Sequence, residues 1–134
     1  MKLLLDTHIL LWALADDPKL PLAARRAILD LSNQLFFSAV SVWEVALKHG
    51  KQPDTLLVRG GEFAECCRRA GYYELPLRDR HVAALEMLGY PSGGTPHRDP
   101  FDHILIAQAK AEGMRFVTHD SSIAQYDEPC VWSV

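Results

Sequence analysis

Three consecutive leucines, Leu3, Leu4 and Leu5, stop at a single carboxylate, Asp6. A run that is apolar at every position suits a strand covered on both faces, as strands are in a parallel sheet between layers of helices. An acid at the carboxyl end of such a strand lies where open α/β sheets place their chemistry. The rest of the chain must then supply more strands, the helices that cover them and the groups that meet Asp6.

The pattern downstream agrees. Residues 7–15 (THILLWALA) are nearly all apolar and end at Asp16, Asp17 and Pro18, so a buried helix stopped by the proline is expected, with Thr7 as its candidate cap. Residues 21–33 set Leu22, Ala23, Ile28, Leu29 and Leu31 against Arg25, Arg26 and Asp30, the pattern of a surface helix with proline near its first turn. A second strand is expected at 34–38 (QLFFS), followed at once by a helix over 38–49. Gly50 is its expected stop, and Lys48, His49 and Lys51 suit the negative end of the helix dipole.

After a loop around Pro53 come a helix at 62–70 closed by Gly71, a strand at 72–76 and an amphipathic helix at 78–88 ending at Gly89. Residues 91–96 (PSGGTP) read as loop. The segment HRDPFDH, from 97, opens a helix that runs to Glu112 and ends at Gly113, and a strand at 114–118 delivers His119 and Asp120. A short edge strand at 130–132 closes the pattern. Strands alternating with helices predict parallel pairing, right-handed crossovers and a three-layer α/β sandwich with a mostly parallel sheet. One domain over residues 1–134 is expected, with a core that removes roughly two-thirds of the unfolded surface from water.

Composition narrows the function classes. No apolar stretch approaches the roughly 20 residues that span a bilayer, and Asp6 interrupts the opening run too early for a secretory leader, so a cytoplasmic protein that keeps its first residues is expected. Cys66, Cys67 and Cys130 are an odd set without zinc-ligand or disulfide spacing, and are expected to be packing residues. A formal net charge of −3 excludes a generic basic binder, so any nucleic-acid contact must be local.

Four acids stand out: Asp6, Glu44, Asp102 and Asp120. Each also has an ordinary structural explanation. Asp6 and Asp120 sit where an aspartate caps a following helix. Glu44 lies among Ala39, Val40, Val42, Trp43, Val45 and Ala46, where an ionised carboxylate is costly unless met by a cation or strong donors, and Lys48 stands four residues on. Asp99, Pro100 and Asp102 have the form of a helix start, with Asp99 as N-cap, Pro100 first and Asp102 third. Their joint placement argues further: Asp6 and Asp120 follow strands, and Glu44 and Asp102 are expected in the first turns of helices over the same sheet edge. Carboxylates gathered there would repel one another unless a divalent cation neutralised them, and oxygen-only ligands suit Mg²⁺ or Mn²⁺. Such a cation activates water and stabilises charge in phosphoryl chemistry.

The ordered segments LLLDTHILLW, SAVSVWEVALKHGK, HRDPFDHILIAQA and FVTHD resemble the PIN-domain ribonucleases and, within them, the VapC-type toxins of bacterial toxin–antitoxin pairs. The resemblance covers nearly the whole chain. It implies an RNA-cleaving hydrolase that leaves 5′-phosphate and 3′-hydroxyl ends, a small VapB-type antitoxin that occupies the crevice, and a homodimer. It also implies that Asp6, Glu44, Asp102 and Asp120 form the acidic constellation, with Asp6 and Asp102 as direct metal ligands. Thr7 and Thr118 match supporting hydroxyl positions, and Asp99 matches the acid that opens the DPFD motif and is expected as a helix cap or as a group bonded to a ligand from outside. His103 departs from the arginine common at that position in the family.

His8, His103 and His119 lie within two positions of these acids and are expected to be neutral and solvent-facing rather than ligands. A non-catalytic acidic-cluster module for binding or signalling, such as a phosphoacceptor receiver, is the alternative. It would carry an acid pair on the opening strand and a lysine ending the last strand, whereas this chain has one acid there and closes on CVWSV.

Overall fold

A computed structural model of the chain describes residues 1–54, 56, 58–89 and 99–134. The predicted loop at 91–96, with His97 and Arg98, lies outside the described residues. Among the described residues five strands, β1 (Lys2–Leu5), β2 (Gln34–Ser38), β3 (Tyr73–Leu75), β4 (Arg115–Thr118) and β5 (Val131–Ser133), form one sheet in the order β3-β2-β1-β4-β5. Every neighbouring pair is parallel, and β1 is central. The helices between them are α1 (Thr7–Leu14), α2 (Leu22–Leu29), α3 (Ala39–Lys51), α4 (Gly60–Arg69), α5 (Asp79–Ala83) and α6 (Pro100–Glu112).

The three leucines explain the layering. Leu3 and Leu5 point to one face, where they join Ile9, Leu10, Ala24, Val45, Phe63 and Val117. Leu4 points to the other, where it meets Val40, Leu105, Ile106 and Phe116. All three leucines are fully buried, as expected for a central strand with helices on both sides. The three-layer α/β sandwich is thus as expected. Among the described residues no helix is long and apolar enough to cross a membrane.

Strand order locates the crevice. From β1 the chain moves stepwise to β2 and β3, then crosses back over β2 and β1 to place β4 on the far side. The direction of winding reverses between β1 and β4, and open α/β sheets bind ligands beyond the carboxyl ends of the strands at that reversal. Asp6 follows β1 there, and its backbone N–H donates to the Val117 carbonyl of β4 at 3.0 Å.

Several boundaries differ from the sequence reading. Of the two candidate caps of α1, Asp6 is the N-cap as its position allowed and Thr7 is not, and the Asp6 carboxylate accepts the Thr7 N–H at 2.7 Å. Gly50 does not stop α3, which runs one residue further to Lys51. The surface helix at 22–29 is shorter than the 21–33 pattern, because Asp30 leaves helical geometry and binds Ser32. The helix expected at 78–88 is split into α5 and a 3₁₀ turn at Ala84–Met87. Gly60 starts α4 two residues early, where a Cβ would come within 2.8 Å of the Ala46 Cβ, so its small size allows α4 to lie close on α3. Gly113 behaves as expected, with φ of 66° closing α6 in the left-handed conformation. Cys67 packs in the core and burial pushes its thiol up to about 12, but Cys66 is exposed rather than packed.

Candidate active site

Asp6 is 4% exposed and is held by neutral donors: Thr7 N–H on one carboxylate oxygen and the Thr118 hydroxyl on the other, both at 2.7 Å. Burial raises its carboxyl to about 6, against the pull of those hydrogen bonds and of His8, with Glu44 adding a smaller upward push. The Thr118 hydroxyl also accepts the Asp120 N–H at 3.1 Å, which ties the end of β4 to Asp6.

Thr7 connects Asp6 to Glu44. Its hydroxyl lies 2.7 Å from Glu44 Oε1 and 2.9 Å from Ser41 Oγ, so the side chain following the cap reaches across to α3. Glu44 is 3% exposed and stands in the second turn of α3, not the first. Its other oxygen accepts from Lys48 Nζ at 2.5 Å. Burial pulls the Lys48 ammonium down, but its hydrogen bond and Coulombic attraction to Glu44, with the fields of Asp99 and Asp102, leave it above its usual value. Lys48 is therefore the cation that meets Glu44, and it also stands within the field of the acids on α6.

Asp102 is 6% exposed in the first turn of α6, next to Pro100. Asp99 caps that helix by accepting the Phe101 N–H at 2.9 Å, as the sequence predicts. Phe101 packs edge-on against Trp43 of α3 with ring centroids 4.7 Å apart, which holds the two acid-bearing helices against each other. Asp120 is exposed and accepts from the Ser122 N–H at 2.9 Å and hydroxyl at 2.5 Å. It shares a pocket of about 240 Å³ with Asp6, His8, Trp12 and His119.

The structure thus links Asp6, Thr7, Glu44, Thr118 and Asp120 through one hydrogen-bond chain or pocket. Asp99 and Asp102 reach that group through the field at Lys48. Among the described residues no group of three or more histidine, cysteine, aspartate or glutamate side chains stands, as it is, able to hold a metal ion. The donor chemistry nevertheless suits a hard cation, because the ligands on offer are carboxylate oxygens and the buried Asp6 is raised by desolvation. His8 and His119 face solvent as expected, whereas His103 is half-buried and its Nδ1 lies 2.7 Å from the Tyr126 hydroxyl.

Two groups escaped the sequence reading. Ser41 is fully buried beside Thr7 and sits one turn before Glu44, a spacing that could have flagged it. Gln108 of α6 is fully buried and joins Ser38, Pro76 and His81, but a glutamine in an apolar helix gave no distinguishing signal.

Removing Lys48 leaves Glu44 buried without its cation. The Lys48 side chain is 47% exposed, so solvent screens much of the attraction and Lys48→Met should cost only about 1–2 kcal/mol. Urea unfolding checks this, and Glu44→Gln added to Lys48→Met should recover most of the loss.

The PIN domain family model matches residues 3–129. The chain is also similar in structure to VapBC2 from Rickettsia felis, solved bound to a DNA fragment from their promoter, with TM-score 0.65 and 14% identity over 99% of this chain and 98% of that one. FitAB bound to an IR36 DNA fragment aligns with TM-score 0.62 and 21% identity over 98% and 94% of the two chains. FitAcB from Neisseria gonorrhoeae aligns with TM-score 0.56 and 22% identity over 90% and 89%. At these identities the likeness is one of fold. No curated protein sequence matches the chain. The family match spans nearly the whole sandwich and the crevice above β1 and β4, and the chain belongs to the PIN-domain family.

Proposed function

We propose that this chain is a metal-dependent endoribonuclease, the VapC-type toxin of a toxin–antitoxin pair. The observation that carries the reading is Asp6: a buried carboxylate at the sheet's reversal point, raised to about 6 and bonded by neutral donors. In an α/β sheet that combination favours a site completed by a cation. Asp6 and Asp102 would hold Mg²⁺ or Mn²⁺, with Glu44 and Asp120 completing the set directly or through water. Thr7 and Thr118 orient Asp6 and Glu44, and Asp99 fixes the start of the helix that carries Asp102. Once bound, the ion lowers the pKa of water and neutralises charge on the phosphodiester. RNA with 5′-phosphate and 3′-hydroxyl products is the proposed chemistry.

A VapB-type antitoxin is the proposed partner, in keeping with the likeness to VapBC2 and FitAB, both solved bound to DNA. A homodimer, a single domain and a cytoplasmic location complete the proposal.

One observation favours a second reading, a PIN scaffold without catalysis: Glu44 is already paired with Lys48. Cleavage of a panel of structured RNAs with Mg²⁺ or Mn²⁺ decides between them. Metal-dependent cleavage that disappears in Glu44→Gln and in Asp102→Asn is the expected result. Folded variants with full activity would overturn the assignment, and a parent chain that neither cleaves nor binds metal would leave the scaffold.

A further inference from the structure

We propose that His8, Trp12 and His119 form a stacking platform for one nucleobase of the RNA strand, beside Asp6 and Asp120. The proposal rests on the ribonuclease reading above and names the part of the substrate that this pocket takes. His8 and Trp12 are four residues apart on α1 and so project from the same side of the helix, with ring centroids 5.9 Å apart. His119 arrives from the end of β4 and meets Trp12 edge-on at 5.9 Å, with 68° between the planes. Both histidines are exposed and Trp12 is half-buried, so the cluster is rooted in the fold and open at its rim.

The three rings and two acids line the same pocket of about 240 Å³. The His119 ring is held in place, because its Nδ1 donates to the Val134 carbonyl at 2.6 Å. A carbonyl oxygen only accepts, so that bond places a proton on Nδ1. On the other side of His8 lies a second pocket of about 230 Å³, lined by Thr7, Leu11, Val45, Lys48, Gln52 and Leu56. A strand whose base lies on the rings can therefore place backbone charge toward the Lys48 ammonium.

The chemistry selects the occupant. Two carboxylates repel a phosphate that enters the aromatic pocket directly, while aromatic and imidazole faces attract any flat base. Single-stranded or looped RNA offers unstacked bases, whereas a closed duplex keeps them paired. A platform of this kind ranks substrates by strand accessibility before sequence, because every base has a π-face. It also accounts for the site of aromatic residues beside the catalytic acids in a chain with a net negative charge: stacking supplies affinity that overall electrostatics does not.

The test is fluorescence anisotropy with a labelled short oligoadenosine and a labelled abasic ribose-phosphate chain of the same length, in the Asp102→Asn background to hold turnover off. Trp12→Leu and, separately, His119→Ala should weaken oligoadenosine binding, with Trp12→Leu losing roughly 5- to 150-fold. Neither should change binding of the abasic chain, and Trp12→Phe should retain most of the affinity. His119→Ala alters an exposed ring, so it remains informative if Trp12→Leu folds poorly. Equal weakening for both oligomers, or no weakening for either, would overturn the platform while leaving the ribonuclease reading in place. Failure of the unsubstituted chain to bind or cleave any RNA would overturn both.

Discussion

Asp6→Asn should lower metal-dependent RNA cleavage by more than about 100-fold, since even changing a group that only supports a metal ligand costs up to that factor. The same variant should fold at least as well as its parent without metal. The asparagine oxygen can accept the Thr7 N–H, and its amide can face the Thr118 hydroxyl, which also acts as an acceptor. The charge that is removed is an expensive one. Burial holds the Asp6 carboxyl at about 6 in the folded chain, above the ordinary 3.8. Between those values the native state binds more protons than the unfolded state, so stability falls as pH rises through the window. The full shift corresponds to roughly 3 kcal/mol lost by neutral pH. Asp6→Asn lacks that loss, so its melting temperature at neutral pH should exceed that of the metal-free parent by several degrees. Adding Mg²⁺ or Mn²⁺ should then stabilise the parent and leave the variant unmoved, because only a group that binds the ion transmits its binding energy to the fold. Calorimetric scans across the window, with and without metal, read both effects. Equal stabilisation of the two proteins by metal would remove Asp6 from the ligand set.

The parts of this fold that local rules dictate are the parts legible in the sequence. Leu3, Leu4 and Leu5 required cover on two faces and received it from two separate cores. Asp99 and Gly113 mark the ends of α6 through their own backbone geometry, so their positions could be read directly. Gly50 could not, since a glycine ends a helix only where the chain needs a left-handed residue, and α3 continues through it. The return of β4 to the far side of β1 depends on long-range pairing, which strand composition does not encode residue by residue.

The site shows the same division. Residue type and placement singled out Asp6 and Asp120 at strand ends, and Glu44 and Asp102 on the helices that follow. How those acids are satisfied is tertiary: Thr7 reaches 37 positions along the chain to Glu44, and Thr118 reaches 112 positions back to Asp6. Lys48 was visible as an i+4 partner of Glu44, but its place in the field of Asp99 and Asp102 appears only once α3 and α6 are packed together. Ser38 and Gln108 were invisible as a pair, because seventy positions separate them and neither carries charge.

That pair should dominate the stability of the second core. Gln108→Leu is expected to cost roughly 2–4 kcal/mol, measured by urea unfolding, even though leucine suits an apolar helix better than glutamine. Gln108 Oε1 accepts from the Ser38 hydroxyl at 2.5 Å, while its amide lies 3.4 Å from both the Pro76 carbonyl and His81 Nδ1. Ser38, Gln108 and His81 are all 0% exposed, so water cannot replace these contacts when the amide is removed. His81 retains one partner at Nδ1, the Arg78 N–H at 3.0 Å, and Glu112 beside its Nε2 at 2.9 Å. The loss therefore concentrates on Ser38, whose hydroxyl also accepts the Val40 N–H as the cap of α3. Ser38→Ala removes that cap as well as the tie to α6, so the double variant should be less destabilised than the sum of the two single ones. Full additivity would mean that the short contact carries no coupling. The tie also bears on the acids, because Ser38 caps α3 six residues before Glu44 and Gln108 follows Asp102 by six on α6. Gln108→Leu protein that remains folded should therefore bind metal more weakly than its stability loss alone explains, with the deficit absent in variants of the opposite core such as Ile9→Val.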